Sequence, residues 1–273
     1  MTDNVPYKRI STELSVPYRQ VDGTELCLNS HVPEGEGPFP ALLFIHGGAW
    51  RKGERSSATD RCIFYASQGF ACFTASYRLA PGFQFPAQIH DVKAAIRYVR
   101  ENAAELNADA DRLAAVGFSA GAHLVCLAGV TDQKDGLEGP DAPYQTSTRL
   151  QAVVSYFGPT DLRSDFDREG TDVPSVISEF LGGAQEEIPE VYEQASPIRF
   201  ISSDAPPFMF VHGTEDAVVP YQQSVTMTEA LNEVGVTAEL VGVEGGGHGA
   251  MPWEADVRPK VLAFLKDHLR VTA

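Results

Sequence analysis

The chain has 273 residues, of which 43% are hydrophobic and 21% charged, so it can bury a sizeable core without disulfides or metals. Its net charge of −16 argues against nucleic acids and anionic membrane surfaces as partners, because clustered cations bind both. A membrane-spanning helix needs about 18 consecutive apolar residues, and no run in the sequence is nearly that long.

Short apolar runs alternate with amphipathic helical patterns along the chain. Two strands are predicted at 11–20 and 24–32, joined by a turn at Asp22-Gly23. Continuously apolar runs, typical of parallel strands buried on both faces, follow at 41–45, 70–76, 113–118, 151–157, 207–211 and 237–243. Helical periods occupy 87–105, 221–234 and 254–270. This alternation predicts an α/β fold with a mostly parallel, eight-stranded sheet flanked by helices, its first two strands antiparallel.

One acidic segment interrupts this pattern. Residues 161–193, between the sixth and seventh predicted strands, hold ten acidic and two basic residues, half of the net charge. Glycines and prolines break the segment, so we expect 161–200 to form a small helical insertion. A solvated acidic face is the plainer interpretation, and a lid over a site is the alternative. No linker or internal repeat divides the chain, which predicts one domain over 1–273.

The cysteines and the N-terminus indicate a reducing compartment. Four scattered cysteines without a CxxC pair are typical of buried reduced thiols. No His/Cys cluster has the spacing of zinc ligands, so no metal site is expected. The first residues lack the basic-then-apolar pattern of a signal peptide, which predicts a cytoplasmic protein unless a leader has been removed.

The pentapeptide Gly117-Phe-Ser-Ala-Gly121 follows an apolar strand and opens a helical run. In that context it is typical of a nucleophile elbow, where a sharp strand-to-helix turn exposes the serine hydroxyl above the sheet edge. The small residues on either side let the backbone turn without clashes. The pattern alone is weak evidence, so the prediction of Ser119 as a nucleophile depends on the strand and helix around it.

A nucleophilic serine needs a base and an acid that orients the base. Asp216 is the candidate acid, because it follows a predicted strand at the carboxyl end, where the active-site groups of open α/β sheets gather. Glu215 and Asp161 are its rivals. His248 is the candidate base, because flanking glycines let its loop carry the ring to the serine. Structural or surface roles are favoured for the other histidines: His31, His46, His90, His123, His212 and His268.

The run His46-Gly-Gly-Ala-Trp50 leaves a buried strand and turns. The N–H groups of Gly48 and Ala49, together with that of Ala120, are predicted to stabilise a tetrahedral oxyanion. A plain glycine turn, braced by His46, is the alternative. Aromatic residues near these loops are candidates for the substrate pocket, although such residues are more often core: Trp50, Phe118, Tyr156, Phe157 and Trp253.

These motifs together resemble the α/β-hydrolase superfamily, and within it the hormone-sensitive-lipase-like carboxylesterases. The resemblance runs from about residue 38 to the C-terminus and rests on HGGAW (46–50), SYRLAP (76–81), FPAQIHDVKAAIRYVR (85–100), GFSAGAHL (117–124), HGTEDAVVP (212–220) and GGGHG (245–249). It implies that the HGG loop supplies oxyanion donors and that Asp91 braces the site. The family's usual loop is HGGG. Ala49 replaces the third glycine here, and it still offers an N–H if its φ is negative.

The short chain, with TDL (160–162) before the insertion, is similar to the compact bacterial branch that includes acetyl-xylan and feruloyl esterases. This implies a serine esterase without a cofactor, in which Ser119 attacks the ester, His248 moves the proton and Asp216 orients His248. The expected partner is a small neutral ester, with acetyl or feruloyl esters of carbohydrates among the implied classes.

Two other functions stay open at this point. An aryl-formamidase or another amide hydrolase would use the same three residues. A non-catalytic ligand receptor on the same fold is disfavoured, because such proteins typically lose a member of this set. Both a monomer and a homodimer are compatible with the sequence, the dimer through an edge strand at 236–243.

Overall fold

The computed structural model describes residues 9–140, 142, 144–164, 166, 172–249 and 253–271. The strands within these ranges are β1 (Ile10–Val21), β2 (Thr24–Pro33), β3 (Phe39–Ile45), β4 (Ala71–Ala75), β5 (Ala108–Phe118), β6 (Ala152–Tyr156), β7 (Phe208–Gly213) and β8 (Ala238–Val243). The α-helices there are α1 (Thr59–Ser67), α2 (Ala87–Glu101), α3 (Ala120–Val130), α4 (Val173–Leu181), α5 (Pro189–Gln194), α6 (Gln222–Glu233) and α7 (Glu254–His268).

The strands form one eight-stranded sheet in the order β1-β2-β4-β3-β5-β6-β7-β8 across the described residues. β1 pairs antiparallel with β2, and β2 pairs antiparallel with β4. Every pair from β4 to β8 is parallel. The predicted fold class is therefore confirmed, including the antiparallel start of the sheet.

The side chains of the central strands alternate between two hydrophobic clusters. Leu43 and Ile45 of β3 belong to a cluster with α2, α3 and α6. Leu42 and Phe44 belong to a second cluster with α1 and α7. Because successive side chains of a strand point to opposite faces, helices cover both faces of the sheet. This double cover explains why the parallel strands read as continuous apolar runs.

Helix α2 is shorter than the helical segment predicted at 87–105. It ends at Glu101 rather than near residue 105. The Asn102 side chain donates a 2.8 Å hydrogen bond to the carbonyl of Tyr98, which satisfies one of the acceptors left over at a helix end. Helix α1, which the sequence analysis did not predict, packs Cys62 and Tyr65 into the cluster shared with α7.

The predicted insertion between β6 and β7 contains α4, α5 and a 3-10 turn at Pro197–Phe200. Helix α4 has a proline in its first turn and ends at Gly182, whose φ of +96° suits glycine. The cluster of α2, α3 and α6 includes Ile177 and Phe180 of α4, so the insertion packs on the body of the protein. Residues 165 and 167–171 of the insertion lie outside the described ranges.

All four cysteines are buried and free, as predicted. In the described ranges, the helices are too short or too polar to cross a bilayer. No group of three or more His, Cys, Asp or Glu side chains in the same ranges is arranged to hold a metal ion.

A buried ion cluster joins α2 to the segment that follows α3. The carboxylate of Glu138 accepts hydrogen bonds from Lys93 Nζ at 2.6 Å, Arg97 Nη1 at 2.7 Å and Thr148 Oγ1 at 2.8 Å. These side chains are almost fully excluded from solvent. Glu138 is thus the counter-charge for two buried cations.

We expect Glu138→Gln to lower the free energy of unfolding by about 3–5 kcal/mol, because it leaves Lys93 and Arg97 buried without a counter-charge. Urea denaturation followed by circular dichroism measures this change. Glu229→Gln, the same substitution at an exposed position of α6, is the control and should stay within about 0.5 kcal/mol of the wild type. Equal stabilities of the two variants would contradict the expectation.

Candidate active site

Ser119 occupies a sharp turn between β5 and α3. Its φ of 52° and ψ of −118° are rare for a residue with a side chain and cost about 1–3 kcal/mol. The backbone N–H of Ser119 donates a 2.9 Å hydrogen bond to the carbonyl of Tyr156, at the end of the neighbouring strand β6. A Cβ on Gly117 would overlap the carbonyl of Gly121, and one on Gly121 would overlap the carbonyl of Ile45. Both glycines are therefore required by close backbone approaches.

The structure brings Ser119, His248 and Asp216 together in one chain of hydrogen bonds. Ser119 Oγ lies 3.0 Å from His248 Nε2, and His248 Nδ1 lies 2.7 Å from Asp216 Oδ2. An ionised carboxylate only accepts hydrogen bonds, so Nδ1 carries the proton of the neutral ring. Nε2 is then free to accept the hydroxyl proton of Ser119, which is the arrangement that activates a serine.

Asp216 is buried in the turn that follows β7 and accepts several hydrogen bonds. Its Oδ1 accepts the N–H groups of Val218 at 2.8 Å and Val219 at 2.9 Å. Burial acts to raise the pKa of Asp216, but hydrogen bonds from His212 and His248 hold this pKa well below its usual range. Asp216 is consequently ionised at neutral pH, as an orienting acid must be.

The contact between His212 and Asp216 was not predicted from the sequence. His212 is buried in β7, with Nε2 3.2 Å from Asp216 Oδ2 and 3.0 Å from the carbonyl of Val219. Its Nδ1 lies 2.7 Å from Ser224 Oγ. The available signal was the position of a histidine at a strand end, four residues before the acid. His212 thus has the structural role favoured for it from the sequence, and it fills this role in contact with the candidate acid.

The two rival acids lie elsewhere. Glu215 is exposed. The carboxylate of Asp161 forms an ion pair with Arg163 at 2.7 Å. Neither geometry provides the contact that Asp216 makes with His248.

The loop 46–50 follows β3 and passes beside Ser119. A Cβ on Gly47 would lie 2.7 Å from the carbonyl oxygen of Phe118, so only glycine permits this approach. Gly48, Ala49 and Trp50 all have positive φ, at 122°, 57° and 57°. The negative φ considered for Ala49 is therefore wrong, and so is the condition attached to it, because a non-proline residue carries its backbone N–H at either sign of φ.

The three N–H groups predicted to bind an oxyanion are those of Gly48, Ala49 and Ala120, here called the oxyanion donors. Within the described ranges, the N–H groups of Gly48 and Ala49 donate to no protein acceptor. Ala120 is the first residue of α3, where backbone N–H groups lack partners inside the helix. Ala49, Ala120 and Ser119 line a common cavity, whereas Gly48 does not.

This cavity has a volume of about 290 Å³ and an apolar wall supplied by the insertion. Val173, Val176 and Ile177 of α4 form that wall, and Arg51 and Asp172 are its charged lining residues. The remaining lining residues are Trp50, Pro159, Phe166, Val218 and Val219. Helix α4 therefore lies beside Ser119 and limits the space available to a substrate.

Four of the five aromatic residues expected in the pocket do not line this cavity, and Trp50 is the exception. Phe118 and Tyr156 end adjacent strands and stack 4.8 Å apart in the cluster with α7, on the other face of the sheet. Trp253 is buried in the same cluster. Phe157 packs edge-on against the His248 ring at 4.9 Å. The expectation is corrected for these four residues, which belong to the hydrophobic cluster with α1 and α7 instead of lining the cavity.

Comparisons with known proteins identify the family of this chain. The BD-FAE family profile matches residues 28–231, which include Ser119 and Asp216. The chain belongs to the BD-FAE family. Esterase LipC of Mycobacterium tuberculosis is 36% identical over 221 residues, or 78% of this chain and 53% of LipC. Esterase LipQ of the same organism is 32% identical over 82% of this chain and 53% of LipQ. The chain thus spans about half the length of these curated relatives.

Solved structures extend the similarity to nearly the whole chain. A truncated form of a carbohydrate esterase from gut microbiota has a TM-score of 0.84 and 29% identity, covering 97% of this chain and 98% of that one. The propionate-bound esterase Est2 of Thermogutta terrifontis has a TM-score of 0.77 and 27% identity, covering 97% and 94%. The resemblance to α/β-hydrolase carboxylesterases is confirmed.

We expect Gly121→Ala to lower activity by about 100-fold or more, because the added methyl must displace the backbone beside Ser119, and small misplacements at a reacting centre have this effect. Ester hydrolysis and the thermal midpoint measure the change. Gly82→Ala is the matched control, since its added Cβ would make only an ordinary 3.5 Å contact. Full activity of the Gly121 variant would show that the tight turn is not required.

Proposed function

We propose that this protein is a serine carboxylesterase that hydrolyses small neutral esters through an acyl-enzyme intermediate. The observation that carries the proposal is the hydrogen-bonded chain Ser119–His248–Asp216 beside an apolar cavity. Relatives named as esterases and a structural neighbour named as a carbohydrate esterase support it.

The reaction begins when Ser119 Oγ attacks the ester carbonyl carbon and its proton passes to His248 Nε2. The carbonyl electron pair moves onto oxygen, where the oxyanion donors stabilise the charge. The C–O bond to the alcohol then breaks, and the alcohol leaves with the proton from His248. Water attacks the acyl-enzyme by the same route, which releases the acid and restores Ser119. Asp216 stays ionised and orients His248 throughout.

A small acyl group suits the cavity best. Its volume of about 290 Å³ is at the lower end of the roughly 300–1,000 Å³ of ligand pockets. The solved structures of Est2 with propionate and with butyrate support a short acyl chain. The similarity to a carbohydrate esterase supports esters of carbohydrates as the substrate class.

The charge of the protein favours neutral or cationic substrates over polyanionic ones. The net charge is −16, and half of it lies in the segment 161–193 that contains the cavity wall α4. Such a field lowers the local concentration of anions at low salt. An amide hydrolase would use the same residues, but no observation favours it over an esterase.

Ser119→Ala should lower kcat for p-nitrophenyl esters from acetate to decanoate by about 10³-fold or more, because no other nucleophile is expected to replace the serine. Ser57→Ala, at an exposed serine, is the control and should keep wild-type activity. Wild-type inactivity on every ester would overturn the proposal, as would a Ser119→Ala variant that stays active.

Val176→Phe should shift the substrate profile toward acetate, because the larger side chain narrows the α4 wall of the cavity. We expect kcat/KM for hexanoate to fall roughly 10-fold or more relative to acetate, the usual effect of methylenes that no longer fit. Val234→Phe, at the exposed residue that follows α6, is the control. An unchanged chain-length profile would show that the acyl group binds elsewhere.

A further inference from the structure

His123 is a buried histidine that the proposed reaction does not use. It lies in α3, four residues after Ser119, and has no solvent exposure. Its Nδ1 lies 3.2 Å from Trp50 Nε1, and its Nε2 lies 2.6 Å from the carbonyl oxygen of Ala195.

These two contacts determine the state of the ring. An indole N–H only donates, so Nδ1 of His123 must accept the hydrogen bond from Trp50. Nε2 then carries the proton and donates to Ala195. Burial lowers the pKa of His123 to about 4, which keeps the ring neutral and Nδ1 available as an acceptor.

The contacts also join three parts of the fold. Trp50 ends the loop 46–50, His123 belongs to the helix that begins next to Ser119, and Ala195 follows α5 of the insertion. Phe180 of α4 stacks on the Trp50 ring at 4.3 Å and 6°. It also meets the His123 ring edge-on at 5.8 Å.

The loop needs such an anchor because its backbone is strained. Ala49 and Trp50 both hold a φ of 57° without being glycine, and such residues persist only where their surroundings over-determine them. Trp50 is held at both ends: its carbonyl accepts the N–H of Ala80 at 2.9 Å, and its indole bonds His123. Losing the second bond would leave a buried N–H without an acceptor.

We propose that His123 is a positioning residue that acts through Trp50 to hold the Gly48 and Ala49 N–H groups in register with Ser119. It contacts neither the substrate nor the reacting atoms. The Ala195 carbonyl selects the tautomer, so the insertion contributes to the oxyanion loop as well as to the cavity wall. This inference rests on the proposed esterase function.

The test is a double-mutant cycle on the hydrolysis of p-nitrophenyl acetate. Trp50→Phe removes the donor and keeps the ring that stacks on Phe180, and His123→Phe removes the acceptor and keeps a ring. Each should lower kcat about 10- to 100-fold with KM within about twofold, because a misplaced oxyanion donor weakens transition-state binding. The double variant should be no worse than either single one, because both remove the same bond.

His123→Asn provides the rescue, since its side-chain oxygen is able to accept from Trp50 near the position of Nδ1. It should recover most of the kcat lost in His123→Phe. If the phenylalanine variant does not fold, Trp50→Phe still removes the bond, and near-wild-type kcat in His123→Asn together with the loss in Trp50→Phe tests the proposal. Inhibition by phenylboronic acid, which forms a tetrahedral adduct with serine, should weaken in proportion to the loss of kcat/KM. Val261→Ala, a core truncation in α7, is the control for general destabilisation.

Each outcome is decisive for one of the two proposals. If the wild type is active and the kcat values of Trp50→Phe and His123→Phe lie within twofold of the wild-type value, the positioning role is overturned and the proposed function stands. Losses of kcat that multiply in the double variant would also overturn the positioning role. So would a loss of kcat in Val261→Ala as large as that in the His123 variants at the same thermal midpoint. A wild type inactive on all esters would overturn the proposed function, and this inference with it.

Discussion

The strained backbone at Ser119 is the constraint on which the rest of the site depends. Strand β5 ends there and α3 begins there, so the serine is held between two rigid elements. Its N–H bonds the end of β6, and glycines at 47, 117 and 121 permit the close approach of the surrounding backbone. The hydrophobic clusters on both faces of the parallel sheet stabilise the fold enough to offset this strain.

The parallel sheet also gathers the other groups. β3 runs into the loop 46–50, β7 into Asp216 and β8 into the loop of His248, so their carboxyl ends meet at one edge. The buried charge of Asp216 is tolerated because backbone N–H groups and two histidines donate to it. The insertion after β6 supplies the α4 wall of the cavity beside Ser119, so the shape of this cavity depends on the insertion as well as on the strand-end loops.

Much of this architecture was predictable because its signals are local. Apolar runs and their flanking turns predicted the eight strands, and Ser119, Asp216 and His248 each carry a signature in the few residues around them. The pairing of His123 with Trp50 joins residues 73 positions apart and has no such signature. The aromatic residues were assigned to the pocket wrongly because successive side chains of a strand point to opposite faces of the sheet. Phe118 and Tyr156, which are paired in the sheet, point to the face covered by α1 and α7. The positive φ of Ala49 could not be predicted because residues with a side chain rarely adopt it.

The most direct test of the central claim is mass spectrometry after labelling with a fluorophosphonate, which reacts with serines activated by a histidine. We expect one adduct per chain, located on the peptide that contains Ser119, and none in Ser119→Ala or after prior denaturation. An unlabelled wild type, or an adduct on a different residue, would contradict the claim that Ser119 is the activated nucleophile of this fold.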